Sequence, residues 1–405
     1  MSAHAARTPV VIVGAGPAGA ALAYLLARRG LPVRLLERHA DFSREFRGEG
    51  LQPSGLDCLK QMGLEAALAA VPQRRLGRVL FALGARTVEL DGLREVIGDI
   101  RMVSQPGLLA MLTREAAAFP GFRLDLEARV RDVSRDADGR ISGVVVARPG
   151  GDELVEAALV VACDGRNSVI RRRLELPLVA AAQSFDILWS RGDLSAVCPD
   201  DAARLELNRQ GDFFGVYPAP AGGHQLGVII RKGGFKELRA RGEASSLEWI
   251  AGRCHPDLAA ALRGGAMSRP ILLDVICGRA PTWSRPGALL IGDAVHPMSP
   301  LGGQGINVAL RDALIAANHL VPALEAGGDP AALDRACAAI ERARLPEIEA
   351  IQALQTRQGQ RFLKPIGALT WRLLPTLLRF RRLATRLFRP RQAFRTGLVD
   401  VRLTV

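Results

Sequence analysis

Cysteine is sparse and unpaired in this sequence: Cys58, Cys163, Cys198, Cys254, Cys277 and Cys337 are scattered, with no Cys-x-x-Cys. That spacing excludes a disulfide framework and a thiolate metal site, and it points to a reducing compartment with buried thiols. No uncharged apolar run reaches about eighteen residues, so no transmembrane helix is expected. No apolar h-region precedes the first strand, so no secretory signal is read and a cytoplasmic location is expected. Internal repeats and low-complexity linkers are absent as well. With only six histidines in the chain, the lone His296 is read as structural, and no metal site is read at all.

Acid is scarce in one place only. Between Arg357 and Arg402, twelve basic side chains face the single acid Asp400, which puts +11 of the net +13 in the tail. The rest of the chain is nearly neutral, so the basic balance does not describe a nucleic-acid protein. In "PTLLRFRRLATRLFRP", Leu377, Phe380, Ala384 and Leu387 keep helical spacing, and Arg379, Arg382, Arg386 and Arg389 take another face. Two readings stand for this helix. It lies on an anionic membrane surface, at the inner face of a membrane, or it packs its apolar face on the protein with its arginines in water.

What is present begins with a βαβ unit. "PVVIV" is a continuous apolar run of the kind buried on both faces of a parallel sheet. "AGAALAYLLARRG" reads as a helix closed by Gly30, and "PVRLLE" as a second parallel strand. Residues 75–100 are strand-rich, and "SQPGLLAMLTREAAA" is helical. Strands then follow, joined by turns at Asp138-Gly139 and Gly150-Gly151, with a hairpin expected in "ARLELNRQGDFFGVYPAPAGGHQLGVIIRKG". "ASSLEWIAGRCHPDLAAALRG" is helical, "GALLIGD" returns to a buried strand, and long helices fill the remainder.

The turn between the first strand and helix is Gly14-Ala15-Gly16-Pro17-Ala18-Gly19, a GxGxxG. Gly14 permits the tight turn, Gly16 lets the backbone approach a diphosphate, and Gly19 allows close helix–sheet packing. The helix N-terminus presents unpaired N–H groups and a favourable dipole to phosphates. Glu37 ends the second strand, placed to accept from a ribose, with Arg38 beside it. This is a dinucleotide site, and the motif alone does not separate NAD from FAD.

Two further features narrow it: Asp164-Gly165 after the apolar strand in "VVACDGRNSVIRRRL", and Gly292-Asp293 in "GDAVHPMSPLGGQGIN". The three motifs in this order resemble the class A FAD-dependent monooxygenases of the para-hydroxybenzoate hydroxylase fold, which include the ubiquinone-biosynthesis hydroxylases. The resemblance covers about residues 8 to 350. It implies an α/β fold: a Rossmann-like FAD-binding domain (1–74, 101–180, 281–350), an inserted, mostly antiparallel β substrate domain (75–100, 181–280) and a basic helical C-terminal region (351–405).

It also implies residue roles. Arg47 would pair with the pyrophosphate, where an Arg fork suits a diphosphate. Gln105 would lie near the ribityl chain, the Val130 backbone would meet adenine, and Asp164 would serve both FAD and NAD(P)H. Asp293 would hold a ribityl hydroxyl, as a carboxylate at a buried strand end in need of partners. Pro300, Gly303, Gly305, Ile306 and Asn307 would cradle the flavin ring with backbone N–H groups and a helix start. One GxGxxG, not two, fits a family in which NAD(P)H approaches the flavin transiently, with Arg166, Arg171, Arg172 and Arg173 as candidates to assist. The WxWxIP signature of flavin halogenases is absent.

The expected activity is hydroxylation of an aromatic or quinone-like small molecule with NAD(P)H and O2, through a flavin C4a-hydroperoxide. A reductase or dehydrogenase of the same fold, acting on an isoprenoid or other lipophilic substrate, is the alternative. A flavoprotein acting as a membrane-associated binding factor without turnover is a third reading. No catalytic constellation stands out in the substrate segment, although Trp189, Arg191, Phe213, Phe214 and Tyr217 are candidates to line a pocket.

Overall fold

The computed structural model describes residues 8–43, 49–84, 86–90, 98–240, 242–265, 267–379 and 396–405. The first apolar run is the strand Thr8–Val13, paired in parallel with Val33–Leu36 on one side and with Gly151–Ala162 on the other. Its residues alternate between two cores. Val10 and Ile12 pack under the helices Pro17–Arg28, Gln105–Ala117 and Gly305–Glu325. Val11 and Val13 pack on the opposite face, with the hairpin Arg129–Arg135/Ile141–Arg148 and the helix Pro330–Gly359. Both faces of the parallel sheet are covered, which is why the strand reads as continuously apolar.

Phe122–Asp125 and Ala288–Leu290 extend this sheet in parallel on its two sides. The turns expected at Asp138-Gly139 and Gly150-Gly151 do join antiparallel strands. A second sheet has seven strands, in the order Ile271–Leu273, Phe185–Gly192, His224–Arg231, Phe213–Pro218, Ala202–Leu207, Arg78–Leu83, Arg86–Leu90. All its pairings are antiparallel except that of Ala202–Leu207 with Arg78–Leu83. The segment expected to be one hairpin is a three-stranded meander. The helical stretch after it divides into Glu243–Ala251 and Pro256–Arg263, because Pro256 cannot continue the first helix and starts the second. These two helices bury one face of the second sheet. A small sheet of Gly50–Leu51, Ile100–Val103 and Gln73–Leu76 lies in chain order between strands of the two large ones.

The helix Ala368–Arg379 packs Trp371 and Leu374 onto the second sheet, while Leu369 and Leu373 stay exposed. The apolar face expected from Leu377, Phe380, Ala384 and Leu387 is not among the side chains that the structure describes, and neither reading of the tail is decided by this helix. Phe380, Arg382, Ala384, Arg386, Leu387 and Arg389 lie outside the described residues. No helix among the described residues is long and apolar enough to cross a membrane. The last ten residues return to the first sheet's helices, where Val401 is buried. There Leu403 N–H donates to Gln61 and Thr404 N–H to Asn318.

Candidate active site

The GxGxxG loop is held from three sides. Gly14 has φ +100°, and a Cβ there would lie 2.6 Å from the Cys163 carbonyl oxygen, so only glycine fits between the loop and the third strand. Gly19 is closed by its own turn: a Cβ would meet Gly14 O at 2.1 Å. Glu37 is buried, and its carboxylate accepts from the Ala15 N–H at 2.9 Å and the His39 N–H at 3.1 Å. Above Gly16 the space is open except for Cys163 O at 3.9 Å. The helix Pro17–Arg28 starts at Gly16 without a side-chain cap, unlike the helices capped by Ser104 and Asp329. Its first N–H groups are free for an anion.

Asp164 sits beside this loop, and its Oδ2 accepts from the Val169 and Ile170 N–H groups at 2.7 and 3.3 Å. Its Oδ1 is shielded from solvent with no partner among the described residues, and burial raises its pKa. The neighbouring arginines all make backbone contacts, and Arg172 and Arg173 stay exposed. Arg171 donates to Ala294 O and Arg166 O, Arg166 to Asp274 O, Arg172 to Asn167 O and Arg173 to Arg131 O. Val130 lies in the strand next to Ala128, whose N–H donates to Glu37 O, so it stands at the same strand ends. Arg38 is exposed and donates to His39. Arg47 lies outside the described residues.

Asp293 departs from expectation. Gly292, at φ +62°, turns the chain into a single 3-10 turn, so Gly292 and Ala294 are buried while Asp293 faces outward. It is an exposed carboxylate, not a buried one. Gly292 packs against Ala18, where a Cβ on Gly292 would lie 3.3 Å from the Ala18 Cβ, which brings Asp293 next to the start of the first helix. Pro300 and Gly303 are half-buried, and nothing lies within 4 Å of a Cβ built at Gly305. Gly305 opens a 21-residue helix that also lacks a side-chain cap. Ile306 packs in the core. Asn307 is wholly buried, with Oδ1 accepting from Gln52 N–H at 2.8 Å and Nδ2 donating to Gly50 O and Gly303 O. Its side chain is thus a bracket that ties the glycine loop to the strand Gly50–Leu51.

His296 is turned inward. It stacks on Trp283 and its Nε2 lies 2.8 Å from Asp312 Oδ2. Asp312 also accepts from Gly292 N–H and from Arg344 Nε, and Arg344 and Arg311 both reach Glu347. The network ends at the C-terminal segment, where Leu398 N–H donates to Glu347 and Arg311 donates to Val399 O. Flanking charges lower the pKa of Asp312 to about 2 against its burial.

A cavity of about 280 Å³ lies where Glu49 and the start of the helix Gln105–Ala117 face strand ends of the second sheet; Glu49, Ser104 and Gln105 line one side, and Arg191, Asp193 and His224, among others, the opposite side. Gln105 is therefore a cavity wall. Glu49 is buried, accepting from Gln225 Nε2, from Arg191 Nη2 at 3.3 Å and from the Gln105 N–H. On the second sheet Arg191, Gln225 and Tyr217 are direct neighbours across three strands. Two residues along, Trp189 faces Gly227 and Gly215. The Trp189 ring would touch a Cβ on Gly227 at 3.1 Å and the Tyr217 ring one on Gly215 at 2.8 Å, so the paired glycines let both rings lie on the sheet. Phe213 packs with Trp189, Leu301 and Phe362, whereas Phe214 is on the opposite, helix-covered face and is no pocket residue. Glu49 and Gln225 were not expected from the sequence. The one local signal for Glu49 is a charged residue held between two glycines just ahead of a strand.

The open backbone at Gly16 and Gly305, the two uncapped helix starts and the unpartnered Asp164 Oδ1 fit a dinucleotide with a flat ring system. A βαβ diphosphate site beside a second, mostly antiparallel sheet with a cavity at its strand ends fits a flavin-dependent oxidoreductase. The chain matches the FAD-binding-domain family over residues 7–348 and belongs to it. It is an FAD-dependent monooxygenase of the class A fold. Among its relatives is the 6-methylpretetramide 4-monooxygenase of Streptomyces rimosus, 32% identical over 89% of this chain and 86% of that protein. Squalene epoxidase 2, mitochondrial, of Arabidopsis thaliana is 30% identical over 78% of this chain, which spans about half (54%) of that protein's length. The crystal structure of PqsL, a probable FAD-dependent monooxygenase from Pseudomonas aeruginosa, aligns with 95% of this chain and 100% of its own at a TM-score of 0.73 and 25% identity.

Proposed function

We propose that this monooxygenase hydroxylates an aromatic small molecule bound in the junction cavity, with NAD(P)H as reductant and O2 as oxidant. The observation that carries the reading is the cavity lined by Glu49, Gln105 and Arg191, with Trp189 two residues from Arg191 on the same strand and Tyr217 packed against Trp189. A flat substrate with a polar edge matches that pairing. The polycyclic aromatic named for the Streptomyces rimosus relative supports the same class.

In this reading FAD supplies the redox and oxygen chemistry when bound. The chain's own residues bind and orient. Gly14, Ala15, Gly16, Pro17, Ala18 and Gly19 with Arg47 hold the diphosphate, and Glu37 with Arg38 holds the ribose end. Val130 meets the adenine through its backbone. Gln105, Asp164 and Asp293 hold the ribityl chain, and Pro300, Gly303, Gly305 and Ile306 present backbone to the ring. Asn307 positions that loop from behind. The exposed Leu369 and Leu373, with the arginines that follow them, support contact of this end with an anionic membrane surface. Co-sedimentation with phosphatidylglycerol vesicles, lost in high salt, tests that contact.

The activity itself is tested on the purified protein. It is yellow, and its NAD(P)H oxidation rises when a phenol from a panel of mono- and polycyclic phenols is added. A folded protein that binds no FAD overturns the reading. Anaerobic turnover on an isoprenoid would instead favour a reductase of the same fold.

A further inference from the structure

Two cations and two anions are buried together behind the glycine-rich loop. Arg311, Asp312, Arg344 and Glu347 are each 4% exposed or less. Side chains alone do not complete the set. Glu347 Oε2 accepts from Arg311 Nε at 3.1 Å and from Arg344 Nη1, and its Oε1 accepts from Arg311 Nη2 at 2.7 Å. Main chain from residues 398 and 399 supplies what is left. Leu398 N–H donates to Glu347 Oε1 at 2.8 Å, and Val399 O accepts from Arg311 Nη2 at 2.5 Å. The Leu398 and Val399 side chains are exposed, so this stretch meets the buried charges through its backbone. Gly397 makes the approach possible. At φ +79°, a Cβ there would lie 2.5 Å from Arg311 Cζ and 2.7 Å from Glu347 Oε1. Buried charges keep one geometry only when their hydrogen bonds are all made.

The other end of the same set is the flavin cradle. Arg344 Nε donates to Asp312 Oδ1 at 2.7 Å, and Asp312 Oδ2 meets the Gly292 N–H at 3.0 Å and His296 Nε2 at 2.8 Å. Gly292 is the residue that turns Asp293 outward beside the first helix. A continuous chain of contacts thus runs from Leu398 through Glu347, Arg344 and Asp312 to the turn that carries Asp293. The rest of the segment is held separately. Val401 is buried, Gln61 bonds Val401 O and Leu403 N–H, and Asn318 bonds Arg402 O and Thr404 N–H. The segment therefore docks as a unit on side chains of three helices, Pro53–Gln61, Gly305–Glu325 and Pro330–Gly359.

We propose that residues 397–399 belong to the frame of the flavin site: docked, they position the Gly292–Asp293 turn for FAD through Glu347, Arg344 and Asp312. Glu347 and Arg344 are positioning residues, each acting on the loop through Asp312. The inference rests on the reading above of Gly292–Asp293 and the glycine loop as the seat of the flavin. The coupling is reciprocal: whatever factor docking adds to FAD affinity, bound FAD adds to docking. The docked and released segment is the two-state element that such coupling requires.

The test uses the full chain. Amide hydrogen exchange at Leu398, Leu403 and Thr404 is followed in wild type with and without saturating FAD. FAD is expected to slow exchange there by about tenfold more than in the helix Pro256–Arg263, which packs on the second sheet. Gly397→Ala drives a Cβ into the Arg311 guanidinium. It is expected to weaken FAD binding about tenfold and to alter the visible circular dichroism of the flavin at saturating FAD. In a cycle with Asp312→Asn, the joint loss of FAD affinity is expected to fall short of the product of the two single losses, because the chain of contacts is already cut. If Gly397→Ala does not fold, Asn318→Ala carries the test. It releases Arg402 and Thr404, leaves the buried charges in place and weakens FAD in the same direction. Equal protection of the segment and the reference helix overturns the proposal, as does a multiplicative cycle. A folded Gly397→Ala or Asn318→Ala with a lower melting temperature but wild-type FAD affinity overturns it as well. A wild type that binds no FAD overturns this proposal and the flavin reading together, whereas FAD binding without the coupling overturns this proposal alone.

Discussion

His296 Nε2 lies 2.8 Å from Asp312 Oδ2, and neither side chain reaches solvent. The histidine in the glycine-rich loop thus anchors that loop to the long helix behind it. The Asp312 pKa is lowered to about 2, so its pairing stabilises the fold fully above its ordinary value near 3.8 and is lost as pH falls toward 2. Urea unfolding should show about 2 kcal/mol disappearing in that window. Asp312→Asn should lower stability by about 1–3 kcal/mol at pH 7 and flatten the dependence, because it removes the charge facing His296 and leaves Glu347 as the partner of Arg344. An unchanged pH profile in the variant contradicts the account.

Gly14→Ala should fold poorly or fold without flavin. The added Cβ meets Cys163 O at 2.6 Å and the backbone stays at φ +100°, a strain of about 1–3 kcal/mol before any ligand is considered. The ratio of absorbance at the flavin band to that of protein reads the outcome. Full FAD occupancy would contradict the packing.

Asn307→Ala removes three hydrogen bonds between the glycine loop and the strand Gly50–Leu51 and its flank. A loss of about 2–3 kcal/mol is expected, with buried backbone groups left unmet. FAD should bind about 10-fold or more weaker, followed by flavin fluorescence on dilution. Equal FAD affinity would show that the bracket does not hold the cradle.

Glu49→Gln should raise the melting temperature at pH 8 in the absence of substrate. A carboxylate whose folded pKa is raised binds its proton more tightly in the folded state. Its burden on stability is therefore full above the folded value and relieved as pH falls toward its ordinary value. The gain should shrink toward pH 4. A lower melting temperature at pH 8 contradicts the assigned direction.

The parts of this fold that could be read in the sequence are those whose cause is local. Gly14, Gly16 and Gly19 follow an apolar strand and open a helix, and that order alone fixes a diphosphate turn. The turns at Asp138-Gly139 and Gly150-Gly151 carry their own backbone preference. The corner of Glu49, Arg191 and Gln225 could not be read, because its members are 142 and 176 residues from Glu49 and meet only when the second sheet forms. The outward turn of Asp293 at the end of a buried strand is set by the positive-φ glycine before it. The bracket that Asn307 makes with Gln52 could not be read either, because the two are 255 residues apart.

The central claim is that this chain delivers one atom of O2 to an aromatic ring. The direct measurement is turnover of the FAD-loaded protein with NAD(P)H and a phenolic substrate under 18O2, with mass spectrometry of the product. One 18O atom in each product molecule, lost when the reaction is run under 16O2 in 18O-labelled water, is the expected result. Product formed anaerobically, or carrying oxygen from water, would contradict the account.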